Sequence, residues 1–142
     1  MIKEKDTIRM KIPYPTIHSG LAMTTHMYIC KENIMHRCEF VKCQTLKPYM
    51  LTENVMKHYV DENAEIARNP FQRTTRIDCD KVFLTTSVEY DDSLKTTTRS
   101  DVCEELFNRV LSELDKDGYV VISINESELQ SLNQLIRSIQ NI

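Results

Sequence analysis

Four histidines are the side chains of this chain best able to move a proton near neutrality, because imidazole has an unperturbed pKa of about 6.5. His18 and Ser19 fall in a polar loop that can close over a substrate or simply face solvent. His26 stands at the head of an apolar stretch, while His36 and His58 have no partner pattern and receive no role. Cations gather in the middle third: Lys42, Lys47, Lys57, Arg68, Arg73, Arg76 and Lys81. They can form a basic face for phosphates or a mixed solvated surface. Tyr14, Tyr28, Tyr49, Tyr59 and Phe71 offer rings for stacking bases of single-stranded RNA, although core and rim positions account for most such aromatics.

Other chemistries lack their residues. The chain has no G-x-x-x-x-G-K, G-x-G-x-x-G, H-E-x-x-H or G-x-S-x-G pattern, and its two glycines leave little material for a phosphate-cradling loop. Five scattered cysteines, Cys30, Cys38, Cys43, Cys79 and Cys103, form no C-x-x-C pair, so buried thiols are expected rather than disulfides or metal ligands. No cofactor or metal is expected. The formal net charge of −3 and pI of about 5.8 exclude a molecule that attracts nucleic acid by its total charge.

Length and composition point to one domain. At 142 residues, with 41% hydrophobic and 27% charged residues, the chain can bury a core unaided, and it has no apolar run of the roughly 20 residues needed to span a bilayer. The opening Met1-Ile2-Lys3-Glu4-Lys5-Asp6 has no apolar stretch behind its charges, which predicts a cytoplasmic protein with no membrane partner.

The elements that must position these residues read as strands first and helices later, a β-barrel followed by α-rich packing elements. Residues 7–12 alternate with period two until Pro13 and Pro15, and a loop over 14–25 follows. Residues 27–30 and 40–45 form a predicted hairpin across a polar turn at 31–37, residues 57–61 a short strand, and residues 74–84 the strongest strand pattern. In the latter, Arg76 and Asp78 share a face and can pair. Residues 101–116 carry an apolar stripe through Cys103, Phe107, Val110, Leu111 and Leu114, with a capping box at Asp101 and Glu104 and a stop at Gly118. A strand over 119–124 and a helix over 125–142, started by Asn125 with Glu128, complete the chain.

In this order of elements, residues 5–116 resemble the PemK/MazF family of RNA-cutting toxins. The resemblance rests on Lys5-Asp6-Thr7-Ile8-Arg9, the loop of residues 13–20, Cys43-Gln44-Thr45, Arg76-Ile77-Asp78-Cys79-Asp80-Lys81, Asp91-Asp92-Ser93-Leu94 and the helix from Asp101. It implies an α+β, mainly β fold: an SH3-like barrel with a packing helix over residues 1–118, plus an added strand–helix extension over 119–142 on the same domain. It further implies a homodimer, single-stranded RNA as ligand, an antitoxin or other protein as partner, and metal-independent endoribonuclease chemistry.

Two departures bear on that chemistry. Lys5 replaces the family's opening glycine, and Thr25-His26 occupies the place of its catalytic Arg-Pro. By resemblance Thr45 is a hydroxyl at the phosphate, Thr25 fills the arginine's position, and His26 is the substitute able to carry a proton. His18, Ser19, Lys47, Arg73 and Arg76 are the expected RNA contacts, the two arginines replacing the lost charge. Strand alternation predicts that only one of Thr25 and His26 faces the site, unless the strand begins one residue later. The competing expectation is a non-catalytic SH3-like barrel, of the sort a mobile element or phage makes, that binds a protein or nucleic-acid partner.

Overall fold

The computed structural model describes residues 1–52 and 56–139. Strand β1 (Thr7–Met10) buries three of its four residues and leaves Arg9 exposed. A short helix, α1 (Gly20–Met23), interrupts the expected loop before β2 (His26–Ile34) and β3 (Arg37–Thr45). The hairpin is longer than its polar turn suggested: Ile34 pairs with Arg37, and the connection is only Met35 and His36, both at positive φ (49° and 70°). Two consecutive left-handed residues match the twist of the flanking strands, and here that geometry is reached without glycine.

After α2 (Tyr49–Thr52) come β4 (Tyr59–Glu62), β5 (Thr75–Asp78) and β6 (Lys81–Thr85). The single strand expected over 74–84 is therefore two. Asp78 Oδ1 accepts the N–H of Asp80 at 2.8 Å, an aspartate turn that breaks the ladder at Cys79 and Asp80. Both pieces lie antiparallel to β3, β5 against residues 43–45 and β6 against residues 38–40. Each piece then takes its own outer neighbour: β4 antiparallel on β5, and β8 (Val120–Ser123) parallel on β6. The described ladders do not join β1 to β4 or β8, so the sheet is open among the described residues and the fold is α+β, mainly β.

Each face of the sheet has its own core. On one, α3 (Glu104–Asp115) sets Leu106, Phe107, Val110 and Leu114 against Ile29, Val41, Cys43, Ile77 and Val82. On the other, Ile8, Tyr28, Phe40 and Phe83 pack with Leu129 of α4 (Glu126–Leu132) and with Ile136 of β9 (Ile136–Ser138), which pairs with β7 (Val88–Tyr90). The strand expected over 119–124, the first part of the 119–142 extension, is present as β8 and belongs to the main sheet. Its five-residue partner stretch, not a separate unit, receives it.

Two helix expectations need correction. The first begins at Glu104 with Cys103 as N-cap, because Asp101 is engaged elsewhere, bridged to Asp6 and paired with Arg99. The second starts as predicted, with the Asn125 side chain accepting the Glu128 N–H at 3.0 Å, but stops at Leu132. Asn133 then ties to the Lys11 backbone through both its amide nitrogen and its oxygen, which turns the chain into β9. Residues 140–142 of that predicted helix lie outside the described residues. Gly118, at φ 74°, follows α3 where the stop was expected. All five cysteines are free thiols, four of them buried, and no described helix is long and apolar enough to cross a membrane.

Leu106 is fully buried on the α3 face. Leu106→Ala is expected to lower unfolding free energy by about 2–5 kcal/mol, read by urea denaturation of the purified protein.

Candidate functional site

The register brings four strand ends to one end of the sheet. Met10 of β1 pairs with His26, Met27 with Cys43, and Thr45 with Thr75, so β1 and β3 end where β2 and β5 begin. A cavity of about 220 Å³ opens there, lined by Thr25, His26 and Thr45 together with Arg9, Gln44, Gln72, Arg73 and the edges of Met27, Cys43, Phe71 and Thr75. Three separated sequence positions, 25–26, 45 and 73, thus meet. The alternation argument does not exclude either Thr25 or His26, because β2 starts at His26 and leaves Thr25 in the preceding turn.

His26 is half-buried. Its Nδ1 lies 3.1 Å from the Thr24 carbonyl oxygen. A carbonyl can only accept, so Nδ1 carries the hydrogen and Nε2 keeps its lone pair. Burial lowers the pKa below the usual 6.5, the charges of Lys42 and Lys47 lower it further, and the Thr24 contact opposes them. The ring is therefore a neutral proton acceptor at pH 7. Around it, Thr25, Thr45 and Arg73 are exposed. Whereas Arg68, Arg76 and Arg99 are held in ion pairs, Arg9 and Arg73 form none among the described residues. Both guanidinium forks are available to an anion in the cleft.

Arg76 does not join them. Its guanidinium is buried, donating to both oxygens of Asp61 at 2.8 Å and to the Met50 carbonyl at 2.9 Å, with the Tyr59 ring 3.7 Å away. The expected RNA contact is instead an internal brace, and its partner is Asp61 rather than Asp78. The cross-strand neighbour wins because the fork can meet that carboxylate squarely with two parallel bonds. Ser19 is likewise occupied, its hydroxyl donating to the carbonyls of Tyr14 and Thr16, which shapes the loop. His18 is exposed and lies outside the cavity lining, as does Lys47, whose charge nevertheless reaches His26.

The remaining candidates sort by burial. Tyr28 is fully buried, Tyr59 lies under Arg76, and Tyr14 packs edge-on against Phe83 at 5.4 Å. Of the five rings, only Phe71 touches the cleft. His58 is held between Glu113 and Asp117, pinning the approach to β4 against α3. Burial pushes the Cys38 thiol up to about 11, and those of Cys30 and Cys43 higher still, so these thiols are not nucleophiles at neutral pH. Arg9, Gln44 and Gln72 were not foreseen as site residues. Arg9 carried a signal, being the one cation, and the one exposed residue, of an otherwise buried strand.

No protein-family model matches this sequence, and comparison with curated proteins and with solved structures found no match.

Two substitutions separate brace from site. Arg76→Ala removes a buried guanidinium with its bonds to Asp61 and the Met50 carbonyl and is expected to cost about 1–3 kcal/mol of stability, whereas Arg73→Ala, on the surface, is expected to stay within about 0.5 kcal/mol of the parent; thermal or urea unfolding reads both. For His26 the folded pKa is below the unfolded one, so the unfolded state binds more protons as pH falls through about 6.5. Stability therefore drops on acidification below that point, and His26→Gln is expected to remove this part of the acid sensitivity, measured as urea midpoints between neutral and mildly acidic pH.

Proposed function

We propose that the cleft at the sheet end binds single-stranded RNA and cuts it without a metal, as an RNA-cutting protein of the PemK/MazF type. The observation that carries this reading is the convergence of Thr25, His26 and Thr45 in one cavity with Arg9 and Arg73, two arginines that form no ion pair among the described residues. A charge lost from the head of β2 is replaced from β1 and from the turn before β5. The same reading takes the sheet as derived from an SH3-like barrel and implies a homodimer whose cleft is blocked by a small antitoxin.

The chemistry follows from the protonation state of His26. Its Nε2 accepts the proton of a ribose 2′-OH, the 2′-oxygen forms a bond to phosphorus, and the bond from phosphorus to the departing 5′-oxygen breaks. The imidazolium returns the proton to that oxygen. Arg73 and Arg9 offset the charge that accumulates on the non-bridging oxygens, and the Thr45 hydroxyl donates to one of them. The products are a 2′,3′-cyclic phosphate and a 5′-hydroxyl.

Purified protein is expected to cleave mixed-sequence RNA at neutral pH in the presence of EDTA. His26→Ala is expected to slow cleavage by roughly a hundredfold or more, with Thr45→Ala also strongly impaired. Arg73→Ala is expected to weaken binding and reduce its salt dependence by about one phosphate contact. Because His26 must be neutral to act, the rate should rise with pH below 6.5 and level off by neutrality. Wild-type protein that binds RNA without cutting it would leave the competing reading, a non-catalytic binding module on the same scaffold. Protein that neither binds nor cuts RNA overturns the RNA reading and leaves the competing one only with a protein or DNA partner.

A further inference from the structure

His26 and Gln44 belong to two cavities. Besides the cleft holding Thr45 and Arg73, they wall a second one of about 390 Å³ on the other side, roofed by Tyr14 and the loop of residues 14–21 and floored by Lys42 and Lys81. This second cavity takes no part in the reaction described above. Its floor has an unusual charge balance. Lys81 Nζ lies 2.5 Å and Lys42 Nζ 3.9 Å from the same carboxylate oxygen of Asp78. Two ammonium groups thus share one carboxylate.

That carboxylate is committed inward. Asp78 is completely buried, and its other oxygen accepts the Asp80 backbone N–H. The Asp80 carboxylate, the next acid along the chain, is turned to the backbone N–H groups of Lys57 and His58. Neither acid can supply a second counter-ion to the cavity, and among the described residues Lys42 and Lys81 pair with no carboxylate but Asp78, so one positive charge stays unmatched there. Lys42, only 12% exposed, feels the imbalance: burial and then the neighbouring Lys81 charge pull its pKa below the usual value, and Asp78 only partly restores it. An arriving anion would relieve this repulsion.

We infer that the cavity floored by Lys42 and Lys81 is a second phosphate site. Resting on the RNA reading, it would hold the backbone phosphate next to the one at Thr45 and Arg73, with His26 on the wall between the two. The strand would then cross the sheet end from one face to the other, and His26 would meet the sugar joining the two phosphates. Lys42 and Lys81 are positioning residues in this scheme, acting on where the ribose sits rather than on the proton.

Inorganic phosphate tests the site without any variant. Titrated into wild-type protein at constant ionic strength, it is expected to shift the side-chain NMR resonances of Lys42 and Lys81, with chloride as the control. A second measurement uses a trinucleotide carrying 2′-deoxyribose at its cleavable positions, which binds but cannot be cut. Lys42→Met leaves Asp78 paired with Lys81, so the fold is retained, and it is expected to weaken trinucleotide binding by about tenfold. The proposal is overturned if phosphate leaves both lysines unmoved, or if Lys42→Met binds the trinucleotide as tightly as wild type. Trinucleotide binding that depends on Arg73 but not on Lys42 would sink this site while leaving the RNA reading intact. Phosphate-induced shifts at the lysines in a protein that binds no RNA would uphold the site and sink the RNA reading.

Discussion

The buried carboxylate of Asp78 is the point on which the architecture turns. A fully desolvated charge costs several kcal/mol unless it is both paired and hydrogen-bonded, and Asp78 is both: one oxygen holds the Asp80 N–H and the other meets Lys81 and Lys42. That arrangement cuts a long strand into β5 and β6. Because the two pieces run past different parts of β3, the sheet divides at its outer side, admitting β4 beside one piece and β8 beside the other. Cys79, at the break, gives its N–H to His58, so the same turn also anchors the segment leading into β4.

The division explains why the molecule needs two cores. A sheet buried on both faces must be covered twice, and the coverings come from different parts of the chain: α3 on one face, and α4 with the β7–β9 pair on the other. What neither covers is the sheet end, where Met10 stands level with His26 and, one step along the ladder, Thr45 with Thr75. The cleft is thus a consequence of strand register and of two coverings that stop short of it.

Charge is used in two ways across the molecule. Several cations of the middle third are held by internal carboxylates: Arg76 by Asp61, Arg68 by Glu62 and Glu105, while Lys42 and Lys81 share the single charge of Asp78. This reconciles a conspicuous basic stretch with an acidic molecule. The arginines left without partners among the described residues, Arg9 and Arg73, are those lining the cleft. Burial first, and then the charges of Lys42 and Lys47, favour a neutral His26.

Much of the fold was legible in sequence. Period-two alternation marked β1 and β5, two strand-like runs across a polar turn marked the β2–β3 hairpin, the apolar stripe marked α3, and Asn125 marked the start of α4, because each of these signals is local: it depends on neighbours within one or two turns. Thr25, His26 and Thr45, grouped beforehand by resemblance, line one cavity. Other features depended on contacts far apart in sequence. Arg76 looked like a phosphate ligand until Asp61, fifteen residues away, was brought beside it. The C-terminal helix ends early because Asn133 meets Lys11 across 122 positions. Arg9 and Arg73 come to one cavity only through the β1–β2–β3–β5 register. Sequence determined which elements form and which side chains can carry a proton or a charge; tertiary structure decided which charges are consumed by partners, since pairing is a matter of distance in space and only folding sets it.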